Sequence, residues 1–208
     1  MTFLEAQQYT AAMLGRDTTE FTLNGFNVLA KALNNACERA QRLVDFEYNK
    51  RLGYMELFQG TADFETDMRT SKGGSATTVK KIISLYADED LMSAFPLRTE
   101  SDLERLGCGG GAYVLMLGPT LKVMNISNAV ELYAVYQHKL PALATDGSTN
   151  FLLLHCGDYI VFQAMFELQH YMKEDDRIQL SAGILRDKWD SVLAWNSSLE
   201  SEQDLTLV

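Results

Sequence analysis

The apolar residues of this 208-residue chain change their spacing twice, and that change limits the fold more than any other feature. From Thr2 to Tyr48 they recur every three or four residues, the period of helices with one buried stripe. From Ala62 to Tyr136 they alternate or form short runs, the period of strands. From Asn150 the helical spacing returns. Helices at both ends of the sequence and strands between them predict an α+β fold. The expected parts are N-terminal helices including one long helix, a small mostly antiparallel β-sheet domain, and a C-terminal two-helix unit with an extended tail.

The first helix is predicted over Thr2–Leu14, closed by Gly15. Thr18 or Thr19 then offers an N-cap, and Phe26, Leu29, Leu33, Ala36 or Cys37, Ala40 and Leu43 or Val44 continue at helical spacing to Tyr48. A helix of about 30 residues would measure about 45 Å. That is more than a compact domain of this size needs, so part of it is expected to pack on another chain. Ala62, Phe64, Thr66 and Met68 alternate with polar residues as a half-buried strand, Lys72–Ser75 is a turn, and Thr77–Tyr86 is expected to return as its partner. Ser101 is expected to cap a single helical turn to Leu106. Short strands follow at Tyr113–Leu117, Leu121–Met124 and Val130–Tyr136, the last apolar on both faces as in a covered central strand.

Asn150–His155 begins a helix that Gly157-Asp158 interrupts. Tyr159–Met172 is apolar almost all round and is therefore expected to be deeply buried. Asp175 or Asp176 should cap a last helix, Arg177–Ala194. The polar tail, Asn196–Val208, is expected to be extended and ordered only by a neighbour. These readings divide the chain into an N-terminal helical part (1–56), a β-sheet domain (57–137), C-terminal helices packing with the N-terminal ones (138–195) and the tail (196–208).

The net charge is −10, which disfavours DNA as a tight ligand because such binding depends on Lys and Arg neutralising phosphates. No window approaches the roughly 20 apolar residues of a membrane span. The N-terminus has no basic region and carries Glu5, so it reads as a helix of the mature protein, and a cytosolic site of synthesis and use is expected. Cys37, Cys108 and Cys156 are odd in number and widely spaced, as expected of reduced thiols. The Gly107–Gly111 run lacks the lysine of a phosphate loop and precedes a strand, so a connector is the better reading. Cys108 would need a histidine beside it to act as a nucleophile. His155, Cys156 and His170 do not complete a zinc set, and His170 reads as a core histidine. The acidic runs Asp88–Asp90 and Glu174–Asp176 lack calcium-loop spacing and read as turns. The expected catalytic, cofactor and metal residues are therefore none.

One order of elements stands out. It comprises the strand Leu132–Tyr136, the loop Leu140-Pro141-Ala142-Leu143, the turn Thr145–Thr149, the broken apolar helix Asn150–Met172, the acidic hinge Asp175-Asp176-Arg177 and the amphipathic helix Arg177–Leu193. More loosely, Phe95-Pro96-Leu97, Ser101–Leu106 and Tyr113–Val123 precede it. This order resembles the head-to-tail adaptor (connector) proteins of tailed bacteriophages. The chain departs from them at Asn125–Asn128, where prolines are common, and at His155-Cys156, where Pro-Asp is more usual.

The resemblance implies a virion structural protein and not an enzyme. It would be a homododecameric ring in the neck, between the portal protein and the tail nozzle or tube, assembled in the host cytoplasm. Genome dsDNA would pass through the bore without specific binding, and no membrane would be involved. Twelve copies at −10 would carry about −120, which suits a channel that repels phosphates. From shape alone, Leu199, Leu205, Leu207 and Val208 are candidates for docking on the portal or a neighbour. Arg69, Lys72, Gly73 and Gly74, at a hairpin tip, are candidates for reaching the tail, and Glu38, Arg42 and Asp45 for pairing between subunits. The alternatives are a head-closure or tail-completion protein of other symmetry, and a small cytosolic enzyme using Cys108.

Overall fold

The computed structural model describes residues 1–57, 60–102, 111–125, 130–172 and 175–205, without the side chains of Tyr171, 175–177 and 201–205. The chain divides into two units, Met1–Tyr48 with Leu140–Val208, and Asn49–Lys139. The class is α+β, with helices from both chain ends in the first unit and sheets in the second.

In the helical unit, α1 (Phe3–Met13) starts at a capping box: the Glu5 amide donates to Thr2 Oγ1 and the Thr2 amide to Glu5 Oε2. Gly15, at φ +67°, ends it. Asp17 and Glu20 form a second capping box over the 3₁₀ turn Thr18–Phe21. Strands β1 (Thr22–Leu23) and β2 (Phe26–Asn27) then make a hairpin around Asn24 and Gly25. Both turn residues have positive φ (51° and 79°), the conformation of a two-residue type I′ turn. Asn27 next caps α2 (Val28–Leu43), accepting from the Ala30 amide at 3.0 Å. The expected helix of about 30 residues is thus a 16-residue one. Asn24-Gly25 forces a chain reversal where apolar spacing alone read through, and Phe26 and Leu43, expected in the core, are 56% and 58% exposed.

After a 3₁₀ turn (Glu47–Asn49), the sheet unit contains β3 (Lys50–Leu57), β4 (Thr61–Asp63), a one-turn helix α3 (Phe64–Asp67), β5 (Val79–Tyr86), β6 (Ala94–Phe95), β7 (Leu97–Thr99), β8 (Tyr113–Leu117), β9 (Thr120–Met124) and β10 (Val130–His138). One sheet runs β3-β10-β5-β6 and the other β4-β9-β8-β7, with all pairings antiparallel except β7 with β8. Met55, Leu57, Leu85, Leu132 and Ala134 of the first sheet share one core with Val114, Leu121 and Val123 of the second. Gly53 lies opposite Ala134, where a Cβ would come within 2.8 Å of Met68 Sδ and the Tyr136 ring, so only glycine fits.

Four expectations for this unit are corrected. Lys50–Leu57 is a strand and not part of the helical region, because it pairs with β10 along its length. Ala62–Met68 is strand only to Asp63; Asp63 caps a helical turn, and Phe64 and Met68 are buried four residues apart. Val79–Tyr86 consequently pairs with β10 and β6 instead. Ser101 is not the cap of the following turn either, since the Asp102 amide donates to Thr99 Oγ1 and the Thr99 amide to Asp102 Oδ2. Leu103–Leu106 lie outside the described residues.

Back in the helical unit, Asn150 caps α4 (Phe151–His155), accepting from the Leu153 amide at 3.0 Å. Cys156, at ψ 22°, breaks the helix one residue before the expected Gly157, and α5 (Gly157–Met172) follows. Ile160, Val161, Ala164 and Leu168 of α5 are buried among α1, α2 and the last helix. That last helix, α6, runs Asp175–Leu205, so most of the tail expected to be extended is helical. Ser197, Ser198 and Glu200 on it are exposed and need no core partner, because a helix already turning can propagate at one hydrogen bond per residue.

Polar side chains fasten the loop that returns to the helices. Asn34 of α2 accepts from the Leu143 amide (2.8 Å) and donates to the Leu143 carbonyl (3.1 Å). Gln41 accepts from the Leu140 amide at 2.9 Å, and Asn196 from the Glu47 amide at 2.9 Å. Replacing Asn34 by Ala leaves both Leu143 groups unpaired, and each such loss costs about 1–3 kcal/mol when buried. Asn34→Ala is therefore expected to lower the stability of the helical unit by about 2 kcal/mol in urea unfolding. Asn35→Ala, at the next position, serves as the control.

Candidate interaction surface

The groups that sequence offered for chemistry do not converge. Cys108 and Gly107–Gly110 lie outside the described residues. Cys37, on α2, and Cys156, between α4 and α5, are buried; burial pushes their thiols up to about 11 and about 12, away from the thiolate form a nucleophile needs. His155 is exposed although its neighbour Cys156 is buried, because successive helical residues point about 100° apart. Its ring stacks on Trp195 (centroids 5.1 Å apart, planes 12°) and lies 5.4 Å from Tyr48. His170, expected in the core, is instead exposed with its ring 4.7 Å from Phe166, since α5 turns this position away from the helices packed on it.

His138 lies at the end of β10, with Nδ1 3.0 Å from the Thr78 carbonyl, which makes Nδ1 the protonated nitrogen of the neutral ring. Asp88 accepts from the Met92 amide at 2.9 Å and closes a turn; hydrogen bonds from Ser93 and that amide hold its carboxyl below the usual range. Among the described residues, no group of three or more His, Cys, Asp or Glu is placed to hold a metal ion. No helix among them is long and apolar enough to cross a membrane.

The surfaces expected to dock are placed as follows. Glu38 and Arg42 bond each other along α2 at 2.9 Å, with side chains 55% and 77% exposed. Such a pair contributes only about 0.3–0.5 kcal/mol, so it is an ordinary helix-face pair that another chain can compete for. Asp45 is exposed just beyond the helix end. Lys72 is not a free tip: its Nζ bonds both Glu131 oxygens (2.7 and 2.8 Å) and stands 5.9 Å from the Tyr54 ring centroid. Arg69 donates to the Gly74 carbonyl across the same turn, and Gly73 takes φ +75°. Leu199 is half-buried on α6; Leu205 ends that helix, its side chain undescribed, and Leu207 and Val208 lie outside the described residues.

Other exposed features went unread in the sequence. Leu23 and Phe26 face each other across the β1–β2 hairpin, 58% and 56% exposed; the Asn-Gly pair was the signal for it. Tyr48 and Trp195 flank the exposed His155 ring, and they also meet the buried Phe46 and Phe151, whose rings lie edge-to-face at 5.3 Å. Between α2 and α6, above α5, lies an open groove of about 300 Å³. Leu43, Phe166, Leu185 and Trp189 line it, and Arg39 and Arg186 are the charged residues along it among the described residues. Burial raises the pKa of the Tyr159 hydroxyl, and the positive charge of Arg39 offsets part of that rise. No period in the sequence relates Arg39 to Arg186, since they come from helices at opposite chain ends.

Two outcomes follow. A thiol reagent at pH 7.5 is expected to leave Cys37 and Cys156 unlabelled in the folded chain and to reach both in urea, checked by peptide mass spectrometry; fast labelling of either would contradict their burial. Burial is also the main cause holding the His138 pKa below 6.5, outweighing the raising effect of the Thr78 carbonyl. A depressed histidine stabilises the fold above the unfolded pKa, and that stability is lost as pH falls through the folded value. The sheet unit should thus weaken as pH drops below about 6.5, and His138→Gln should flatten the trend in thermal unfolding between pH 7.5 and 5.

Compared with known proteins, the sequence matches no protein-family model and no curated protein.

Proposed function

We propose that this protein is a virion structural part, the head-to-tail adaptor of a tailed bacteriophage. In this reading, copies form a ring, commonly of twelve, between the portal and the tail nozzle or tube. The observation that carries it is the C-terminal order of strand, Pro-Leu loop, broken apolar helix and long helix, β10 through α6. The helices of that run pack with the N-terminal helices in one unit, while the sheets form another. An adaptor needs two such parts, one for each neighbour in the neck.

The distribution of chemistry supports the same reading. The described thiols are suppressed by burial, and the described histidines serve packing and strand ends. Exposed apolar features, the Leu23–Phe26 hairpin and the α2–α6 groove, are what a chain that assembles with others offers. A charge of −10 per copy keeps a ring's bore unattractive to phosphates, so genome DNA would slide through and not be retained.

Native mass spectrometry of the chain alone and mixed with a portal ring from the same genome tests the proposal. The expected result is a monomer or weak oligomer alone and a stoichiometric ring on the portal. A ring of other stoichiometry would favour a head-closure or tail-completion part. A chain that ignores both portal and tail rings would overturn the reading and turn attention to Cys108.

A further inference from the structure

The groove between α2 and α6 combines three properties rarely left exposed together: an apolar floor, an open top and a cationic rim. Leu43 at its edge is 58% exposed, and Trp189, with its ring 4.8 Å from that of Tyr159, forms part of its wall. The rim carries Arg39 and Arg186 in a chain whose net charge is −10. A complementary occupant must therefore be apolar and acidic.

The C-terminal segment of the chain has that composition. After Lys188 no Lys or Arg occurs, and Leu199–Val208 carries Glu200, Glu202 and Asp204 among Leu199, Leu205, Leu207 and Val208. This segment cannot fill its own groove. The groove wall includes Trp189, and α6 continues without a break to Leu205. At 1.5 Å per residue those sixteen positions carry the chain about 24 Å away. Thr206–Val208, fully extended, reach back only about 10 Å.

We propose that the groove of one copy receives the acidic, leucine-bearing segment Leu199–Val208 of a second copy. Arg39 and Arg186 select it by charge, and its leucines cover Leu43, Phe166 and Trp189. A groove on one copy filled by the end of the next is a heterologous contact, and repetition of such a contact closes a ring when the rotation between copies allows. The inference rests on the ring reading, to which it supplies the contact between neighbours. One contact of this size is weak alone and becomes effective when a template holds many copies side by side.

A synthetic peptide of residues 196–208, titrated into the full chain and followed by tryptophan fluorescence and calorimetry, tests the inference. Saturable one-to-one binding at micromolar to submillimolar concentration is expected, weakening as salt rises. A peptide with Glu200→Lys, Glu202→Lys and Asp204→Lys should bind about tenfold more weakly or worse, and recover on the chain carrying Arg39→Glu and Arg186→Glu. The reversed peptide needs no protein variant, so the comparison stands even if the double variant misfolds. Absence of saturation by about 1 mM, or equal binding by a scrambled peptide, overturns the inference. A ring that still assembles on the portal in that case leaves the adaptor reading intact, whereas peptide binding without any ring would separate the two the other way.

Discussion

The helical unit depends on one burial problem, that of α5. Tyr159, Ile160, Val161, Ala164, Met165 and Leu168 cover more than one side of it, so a single partner helix cannot shield it from water. α1, α2 and α6 all pack on it. Each large apolar side chain buried there contributes about 1.5–3 kcal/mol, far more than an exposed ion pair such as Glu38–Arg42. That need brings together the two chain ends across the intervening sheet unit. Between α2 and α6, above α5, the groove stays open.

The sheet unit has its own spine in β10, which pairs with β3 on one side and β5 on the other. Its two register shifts, at Val135/Tyr136 and Gln137/His138, lie on the β5 side, while the β3 pairing runs unbroken from Val130 to Gln137. Asn49, 3% exposed, donates to the His138 carbonyl and ties the start of β3 to the end of β10. The unit's first and last long strands are thus neighbours.

Polar chemistry in this molecule serves joints. Asn27, Asn34, Gln41, Asn150 and Asn196 are amides whose side chains meet backbone groups at a cap or along a loop. An amide carries a donor and an acceptor but no charge, so it can satisfy buried backbone without the desolvation penalty of an ion. Among the described residues the surface carries the apolar Leu23–Phe26 hairpin, the stacked His155 and Trp195 rings and the arginine-rimmed groove.

Local signals determined much of the fold. The Thr2–Glu5 and Asn150 caps, the Tyr113–Leu117 and Val130 strands and the apolar girth of α5 can be read directly, because caps, pleats and helical stripes are properties of neighbouring residues. The Asn24-Gly25 turn was equally local, yet helical spacing on both sides of it masked the reversal. Other features required the tertiary structure, because they join residues far apart in the chain. β10, not the nearer Ala62–Met68, is the partner of β5; Asn34 finds Leu143 across 109 positions; and Arg39 stands with Arg186 on one groove. Composition along the chain determined which segments would be helix or strand and which would seek burial. Only packing decided which buried faces met, and so which polar and charged groups were left outside to face another molecule.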